Sequence, residues 1–218
     1  MVLSRLAADH VGVCLSGDGG DELFGGYNRY QWLPKYWNTI RHLPIALRVI
    51  LSKSLDGNIS DRHLRWCGEF LNCVLPFRYR QSAYDTKIRK MIRFMSCASL
   101  SDMYGMSLSH TTTPERYLAR DYSTGSNELD WSNYEWGDTV EAVKAMMGLD
   151  FKHYLPDDIL VKVDRASMAA SLEVRAPFLS HRVIDYANSL PLDMKIRDGE
   201  SKWLLRRLAE RYLPAGHF

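Results

Sequence analysis

The chain has 218 residues, enough for one sizeable domain, and 46% of them are hydrophobic, enough for a core. Its formal charge of +2 gives no electrostatic case for nucleic acid or an anionic membrane, and no apolar run approaches the ~20 residues of a spanning helix. Cys14, Cys67, Cys73 and Cys97 lack Cys-x-x-Cys spacing, which argues against a zinc site or redox pair and for four ordinary buried thiols in a reducing cytoplasm.

Met1 to His10 is a short amphipathic stretch carrying Arg5 and Asp9, and is not a secretion signal. Val11, Val13, Cys14 and Leu15 then read as a strand buried on both faces, broken by Ser16-Gly17. Residues 28 to 56, rich in Tyr, Trp and Leu and punctuated by Pro34 and Pro44, predict short helices packed around aromatics. Lys87 to Phe94 repeats its apolar residues at helical spacing, so its basic residues face solvent rather than read a nucleic acid. Thr113-Pro114-Glu115 reads as a helix start, and Asp121 to Gly137 as loop. Asp138-Thr139-Val140-Glu141 is a capping box with Asp in the first place, opening a helix toward Met147.

Pro156-Asp157-Asp158 predicts a further helix start, because proline suits the first position and carboxylates complement the positive end of the dipole. Ile159, Val163, Ala166 and Ala170 mark one buried stripe of that helix, Asp158 and Lys162 form an i,i+4 pair, and Pro177 ends it. Glu173 and Arg175 can form a local ion pair. Asp198-Gly199 is a turn, after which Leu204, Leu205, Leu208 and Tyr212 share one face of a last helix, with Lys202 in its first turn. No internal repeat or low-complexity tract is present.

The chemistry concentrates after the first strand. The carboxyl end of a strand is where open α/β sheets bind ligands. Gly17, Gly19 and Gly20 let a ligand approach the main chain, while Asp18, Asp21 and Glu22 put three carboxylates within five positions. Such a concentration of charge calls for water, a cation or a cationic substrate. An EF-hand loop is excluded because Gly20 falls where an acidic or amide side chain is needed, and a P-loop because no Lys-Ser or Lys-Thr closes the glycine run. A plain flexible surface turn remains the alternative. Lys202 likewise reads either as a solvated surface lysine or as an anion contact beside free helix-start amides.

Leu15-Ser16-Gly17-Asp18-Gly19-Gly20-Asp21-Glu22-Leu23-Phe24-Gly25-Gly26-Tyr27 resembles the second signature of the synthetase domain of glutamine-dependent asparagine synthetases and the related amidotransferases of surface-polysaccharide gene clusters. Leu155 to Ala169, followed by Leu172-Glu173-Val174-Arg175-Ala176-Pro177-Phe178-Leu179, resembles the carboxyl-terminal signature of the same family. Residues 30 to 135 match it only in general helical character. The family's pyrophosphate loop, Ser-Gly-Gly-x-Asp-Ser, is not found in the sequence, nor is a glutaminase domain opening on cysteine after the initiator methionine.

The resemblance implies the carboxyl-terminal part of an ATP-pyrophosphatase-type domain, α/β by descent and predominantly helical in residues 1–218. Residues 1–27 would form a helix, a strand and the acidic glycine loop, 28–137 a helical insertion, and 138–218 the helical signature region bordering the active-site cleft. It also implies a cytoplasmic ligase. In that reaction a carboxylate, of aspartate or a sugar acid, attacks the α-phosphorus of ATP, and ammonia from glutamine then displaces AMP to leave an amide. Ser16, Gly17, Gly19, Gly20 and Lys202 would contact ATP, Asp21 would bind Mg²⁺, and Asp18 and Lys202 would be catalytic, with Lys195 as the alternative lysine. Asp18 stands where asparagine synthetases carry Glu, one methylene longer, which favours the polysaccharide-associated branch. The chain alone is expected to be inactive, for want of an ammonia donor and the pyrophosphate loop, and to self-associate through apolar surface along Val11 to Leu15 that missing neighbouring strands would expose. The competing expectation is a catalytically silent helical module that binds partners or nucleotide.

Overall fold

The computed structural model describes residues 2–58, 84–109 and 134–214. It divides into two compact units, one formed by residues 1–34 with 134–218 and the other by residues 35–133. In chain order the helices are α1 (Val2–Ala8), α2 (Gly20–Phe24), α3 (Arg29–Ile40), α4 (Ile45–Asn58), α5 (Tyr84–Phe94), α6 (Leu100–Leu108), α7 (Thr139–Leu149), α8 (Val161–Met168), α9 (His181–Ser189) and α10 (Trp203–Ala209). The strands are β1 (Val13–Leu15), β2 (Glu173–Arg175), β3 (Ile196–Arg197) and β4 (Glu200–Ser201). The protein is therefore predominantly helical, as its sequence implies. The helix start at Thr113, the loop from Asp121 to Asn133, and Cys67 and Cys73 lie outside the described residues. Of the other two thiols, Cys97 is buried and Cys14 half-buried.

In the first unit, β1 pairs in parallel with β2, with Val13 opposite Glu173 and Leu15 opposite Arg175. The apolar run is thus a strand, but not one buried on both faces: Val11 is 46%, Val13 45% and Leu15 72% exposed. The reason is that β2 is the single strand paired with β1 among the described residues. The Glu173–Arg175 ion pair forms, with Nε of Arg175 donating to Oε1 of Glu173 at 2.7 Å, as alternate residues on one face of β2 can.

The helix assigned to the segment after Pro156 starts earlier and ends earlier. The Asp138–Glu141 capping box opens α7, with the amide of Glu141 donating to Oδ1 of Asp138 at 2.8 Å and that of Asp138 to Oε2 of Glu141 at 3.1 Å. From there the chain stays helical through a π segment, Asp150–Leu160, into α8. Pro156 lies inside that segment, where the i→i+4 ladder is already abandoned and a missing N–H costs less. The Asp158–Lys162 pair is present at 2.6 Å. The end is a Schellman motif, not Pro177: Ser171 adopts φ 54°, its amide donates to Met168 O, and the amide of Leu172 donates to Ser167 O. Ile159, Val163, Ala166 and Ala170 are half-buried rather than buried.

The core of this unit is built around α2, whose Leu23 and Phe24 join Ala187 of α9 as fully buried residues. Phe151, Phe178, Val183, Ile184, Leu204 and Leu205 pack on them, bringing the π segment, α9 and α10 onto one short helix. Phe24 meets Phe178 edge to face, ring centroids 5.8 Å apart. β3 and β4 form an antiparallel hairpin across the Asp198-Gly199 turn.

Helix α3 begins in the first unit and runs on through Pro34 into the second instead of breaking there, losing the one bond that residue's nitrogen would have given to Tyr30. Arg48 is buried beneath Trp37 and donates to the carbonyls of Leu43, Met95 and Cys97. In α5, Ile92 and Phe94 are buried while Lys87 and Lys90 face solvent, the pattern its sequence predicts.

Candidate functional site

The acidic turn grows directly out of the β1–β2 ladder. The amide of Ser16 donates to Arg175 O at 2.8 Å, and Oγ of Ser16 then donates to Oδ2 of Asp18 at 2.8 Å. Of the three glycines expected to open the backbone, Gly19 alone has positive φ, at the cap of α2. Gly17 faces open space, and Gly20 packs on the ring of Phe178.

Asp21 and Glu22 occupy the first turn of α2, where carboxylates are favoured, yet their surroundings differ. Asp21 is partly exposed, and its Oδ1 lies 2.9 Å from Nζ of Lys202. Lys202 caps α10 with φ 53° rather than sitting inside its first turn, and a non-glycine residue in that conformation costs about 1–2 kcal/mol. Gly26 makes the pair possible, since a Cβ there would lie 1.8 Å from Oδ1 of Asp21 and 2.3 Å from Cε of Lys202.

The other predicted residues are not all gathered there. Asp18 and Ser16 line a hollow of about 350 Å³ with Val163, Ser167 and Glu173 of the second motif, and neither Asp21 nor Lys202 borders it. Lys202 borders a separate, apolar hollow with Phe178, Leu205 and Tyr212. Lys195, the alternative lysine, is buried and lines a third hollow with Glu22. It is Lys202, and not Lys195, that meets Asp21.

Two features of the neighbourhood join residues that the sequence pattern does not pair. Glu22 is buried, and its Oε1 accepts the hydroxyl proton of Tyr27 at 2.7 Å. Burial pushes the Glu22 carboxyl up, the Tyr27 bond opposing, and burial followed by that same hydrogen bond pushes the Tyr27 hydroxyl well above its ordinary value. Asp150, fully buried, is bridged by Nη2 of Arg29 at 2.8 Å and accepts from the Tyr30 hydroxyl. The Arg29 guanidinium lies 4.1 Å above the Tyr27 ring and 5.1 Å from that of Tyr154. Asp150 follows the apolar run Met146-Met147-Gly148-Leu149, a setting that could have marked a buried, paired carboxylate.

Among the described residues no three His, Cys, Asp or Glu side chains gather as a metal cage. Magnesium, however, commonly takes one or two protein carboxylates and completes its shell with phosphate and water, and the partly exposed Asp21 fits that shared kind of site. No helix among the described residues is long and apolar enough to cross a membrane.

The family model described as asparagine synthase matches residues 1–217. Asparagine synthetase [glutamine-hydrolyzing] 1 of Bacillus subtilis is 29% identical over 215 residues, covering 97% of this chain and 30% of the relative. Over shorter stretches, asparagine synthetase [glutamine-hydrolyzing] 3 of the same organism is 46% identical across 57 residues, 26% of this chain and 9% of the relative. The asparagine synthetase [glutamine-hydrolyzing] of Rattus norvegicus is 46% identical across 52 residues, 23% of this chain and 9% of the relative. The chain thus spans about 30% of the length of relatives that it matches almost end to end. No solved structure matches it with statistical significance.

Proposed function

The chain belongs to the asparagine synthase family, and from that premise we propose that it serves as the carboxyl-terminal part of the ATP-using domain of a glutamine-dependent amide synthetase, of the ATP-pyrophosphatase kind and α/β when whole. The observation that carries this reading is the Asp21–Lys202 contact of 2.9 Å, which joins the acidic glycine loop to the start of the last helix across most of the sequence.

In the proposed reaction an acceptor carboxylate attacks the α-phosphorus of ATP, pyrophosphate leaves, and ammonia displaces AMP from the acyl-adenylate to give the amide. Activation is required because oxide is too poor a leaving group from a carboxylate. Ser16, Gly17, Gly19 and Gly20 would hold the nucleotide against the main chain. Lys202 would turn from Asp21 to the phosphates and neutralise charge that grows on them in the transition state. Asp21, so released, would supply one carboxylate to a magnesium ion, which when bound offsets phosphate charge. Asp18 would hold the acceptor's amino group or take a proton from attacking ammonia. The cytoplasm, with its ATP, is the proposed setting.

Positioning contributes on the order of 7 to 11 kcal/mol to a two-substrate step. With no pyrophosphate loop in its sequence, the chain alone is expected to show no exchange of pyrophosphate into ATP. The exposed β1 would be covered by further strands in the complete enzyme, and without them by self-association. That Asp18 and Lys202 border separate hollows favours a second reading, a silent helical module that binds nucleotide or a partner.

ATP–pyrophosphate exchange by the complete polypeptide, with aspartate and with a sugar acid offered in turn, decides between them. Asp21→Asn should lower exchange and leave glutamine hydrolysis intact. Equal loss of both would point to misfolding, unchanged exchange would remove Asp21 from the site, and no exchange in the parent would favour the silent module.

A further inference from the structure

The hollow that holds Lys195 is about 500 Å³ and lies among α2, α7 and the turn after α9. Leu23, Met147, Phe151 and Leu190 form an apolar wall, and Lys144 and Lys195 supply charge. Lys195 is 8% exposed. Its backbone is fixed at both ends, the amide donating to Leu192 O and the carbonyl accepting from the Trp203 amide, each at 2.9 Å.

Among the described residues, the ammonium of Lys195 has no ion-pair or hydrogen-bond partner. The charged neighbours across the hollow are Lys144, which repels it, and Glu22, whose carboxyl already accepts from Tyr27. Burial and then Lys144 push the Lys195 ammonium below the usual lysine range, with no carboxylate drawing it back. A partly desolvated ammonium with no carboxylate at ion-pair distance is less stable than a paired one, and a second lysine beside it adds to that cost. An anion in the hollow would offset both costs. The apolar wall specifies the rest of such a ligand.

We propose that this hollow is a binding site for a small organic anion, whose acidic group is met by Lys144 and Lys195 and whose apolar part covers Leu23, Met147 and Phe151. The site is separate from the Asp21–Lys202 contact and does not depend on the function proposed for it.

The test titrates the purified chain, methyl-labelled at methionine, with phenyl phosphate, 3-phenylpropionate and the neutral 3-phenylpropanol at constant ionic strength. The Met147 methyl resonance should shift saturably with at least one acid and at least tenfold more weakly with the alcohol; the tighter acid identifies the head group. Lys144→Gln should weaken acid binding roughly tenfold, as loss of a charge-assisted contact does. Lys195→Met should abolish the preference for acid and raise the unliganded chain's thermal midpoint. If Lys195→Met does not fold, Lys144→Gln, a change at an exposed lysine, carries the test. No saturable shift, equal binding of the alcohol, wild-type binding in both variants, or loss of binding in Lys202→Gln instead would each overturn the proposal.

Discussion

Two charged pairs each have one member close along the chain to the acidic loop, and their surroundings are opposite. Lys202 and Asp21 meet with side chains 33% and 37% exposed, whereas Arg29 and Asp150 meet with 18% and 0%. The first pair sits at the start of two short helices, one member held in a strained backbone conformation, with no other described hydrogen bond to its charged atoms. The second is enclosed by the rings of Tyr27 and Tyr154, supported by the Tyr30 hydroxyl, and joins the start of α3 to the π segment. An open pair in water can be exchanged for a ligand at little cost. A desolvated one cannot, because removing either partner strands a charge.

The largest effect should come from the enclosed pair. Asp150→Ala removes the buried carboxylate that Arg29 and Tyr30 both meet, and the expected loss is about 3–5 kcal/mol. Urea denaturation of the chain measures it. A loss under about 1 kcal/mol would show that water reaches the pair, and the contrast with Asp21–Lys202 would disappear.

The open pair should prove nearly silent in the same assay. A double-mutant cycle with Asp21→Ala and Lys202→Ala is expected to give a coupling of about 0–1 kcal/mol. In the complete synthetase, by contrast, Lys202→Gln should lower pyrophosphate exchange on the order of 10², the scale of losing one preorganised transition-state contact. A large coupling with unchanged exchange would reverse the assignment and make the pair structural.

Gly26→Ala sharpens the comparison without removing either charge. Its Cβ would fall 1.8 Å from Oδ1 of Asp21, but the atoms it meets end flexible side chains that can swing into solvent. The expected stability cost is therefore under about 1 kcal/mol, while exchange by the complete enzyme should fall as it does for Lys202→Gln. A cost above about 2 kcal/mol would mean that the backbone, not the pair, is what Gly26 protects.

How far these features can be read from sequence depends on the distance over which each is determined. The capping box at Asp138 and the amphipathic α5 are local, and both form as the residue pattern predicts. The end of α8 is also local but was legible only in part, because the left-handed position that closes its Schellman motif is taken by Ser171 and not by glycine. Pro156 reads as a helix start on ordinary preferences, yet the π segment accommodates it in mid-helix. Strand β2 is a three-residue Glu-Val-Arg run, too short and charged to announce itself, and becomes a strand through pairing with β1. The motif resemblance nominates Asp21 and Lys202 without any distance between them. It says nothing of Arg29 and Asp150, which are 121 residues apart and joined only by the fold.

The smallest predicted effect concerns Glu22, neighbour of Asp21 on α2 but enclosed like Asp150. Its carboxyl is pushed above the ordinary glutamate value chiefly by burial, against the opposing bond from Tyr27. A group with its folded value raised favours the protonated form on folding, so its stabilising contribution is complete below the unfolded value of 4.5 and is lost as pH rises through the folded one. Stability should therefore fall with rising pH across that interval, and Glu22→Gln, which cannot ionise but keeps an oxygen to accept from Tyr27, should flatten that part of the profile. Asp21→Asn, which removes one of the lesser charges that raise Glu22, should reduce the same slope only slightly. Urea midpoints of the three proteins at closely spaced pH values make the comparison; an unaltered slope in Glu22→Gln would show that Glu22 stays ionised despite its burial, and would place it with the open pair rather than with the enclosed one.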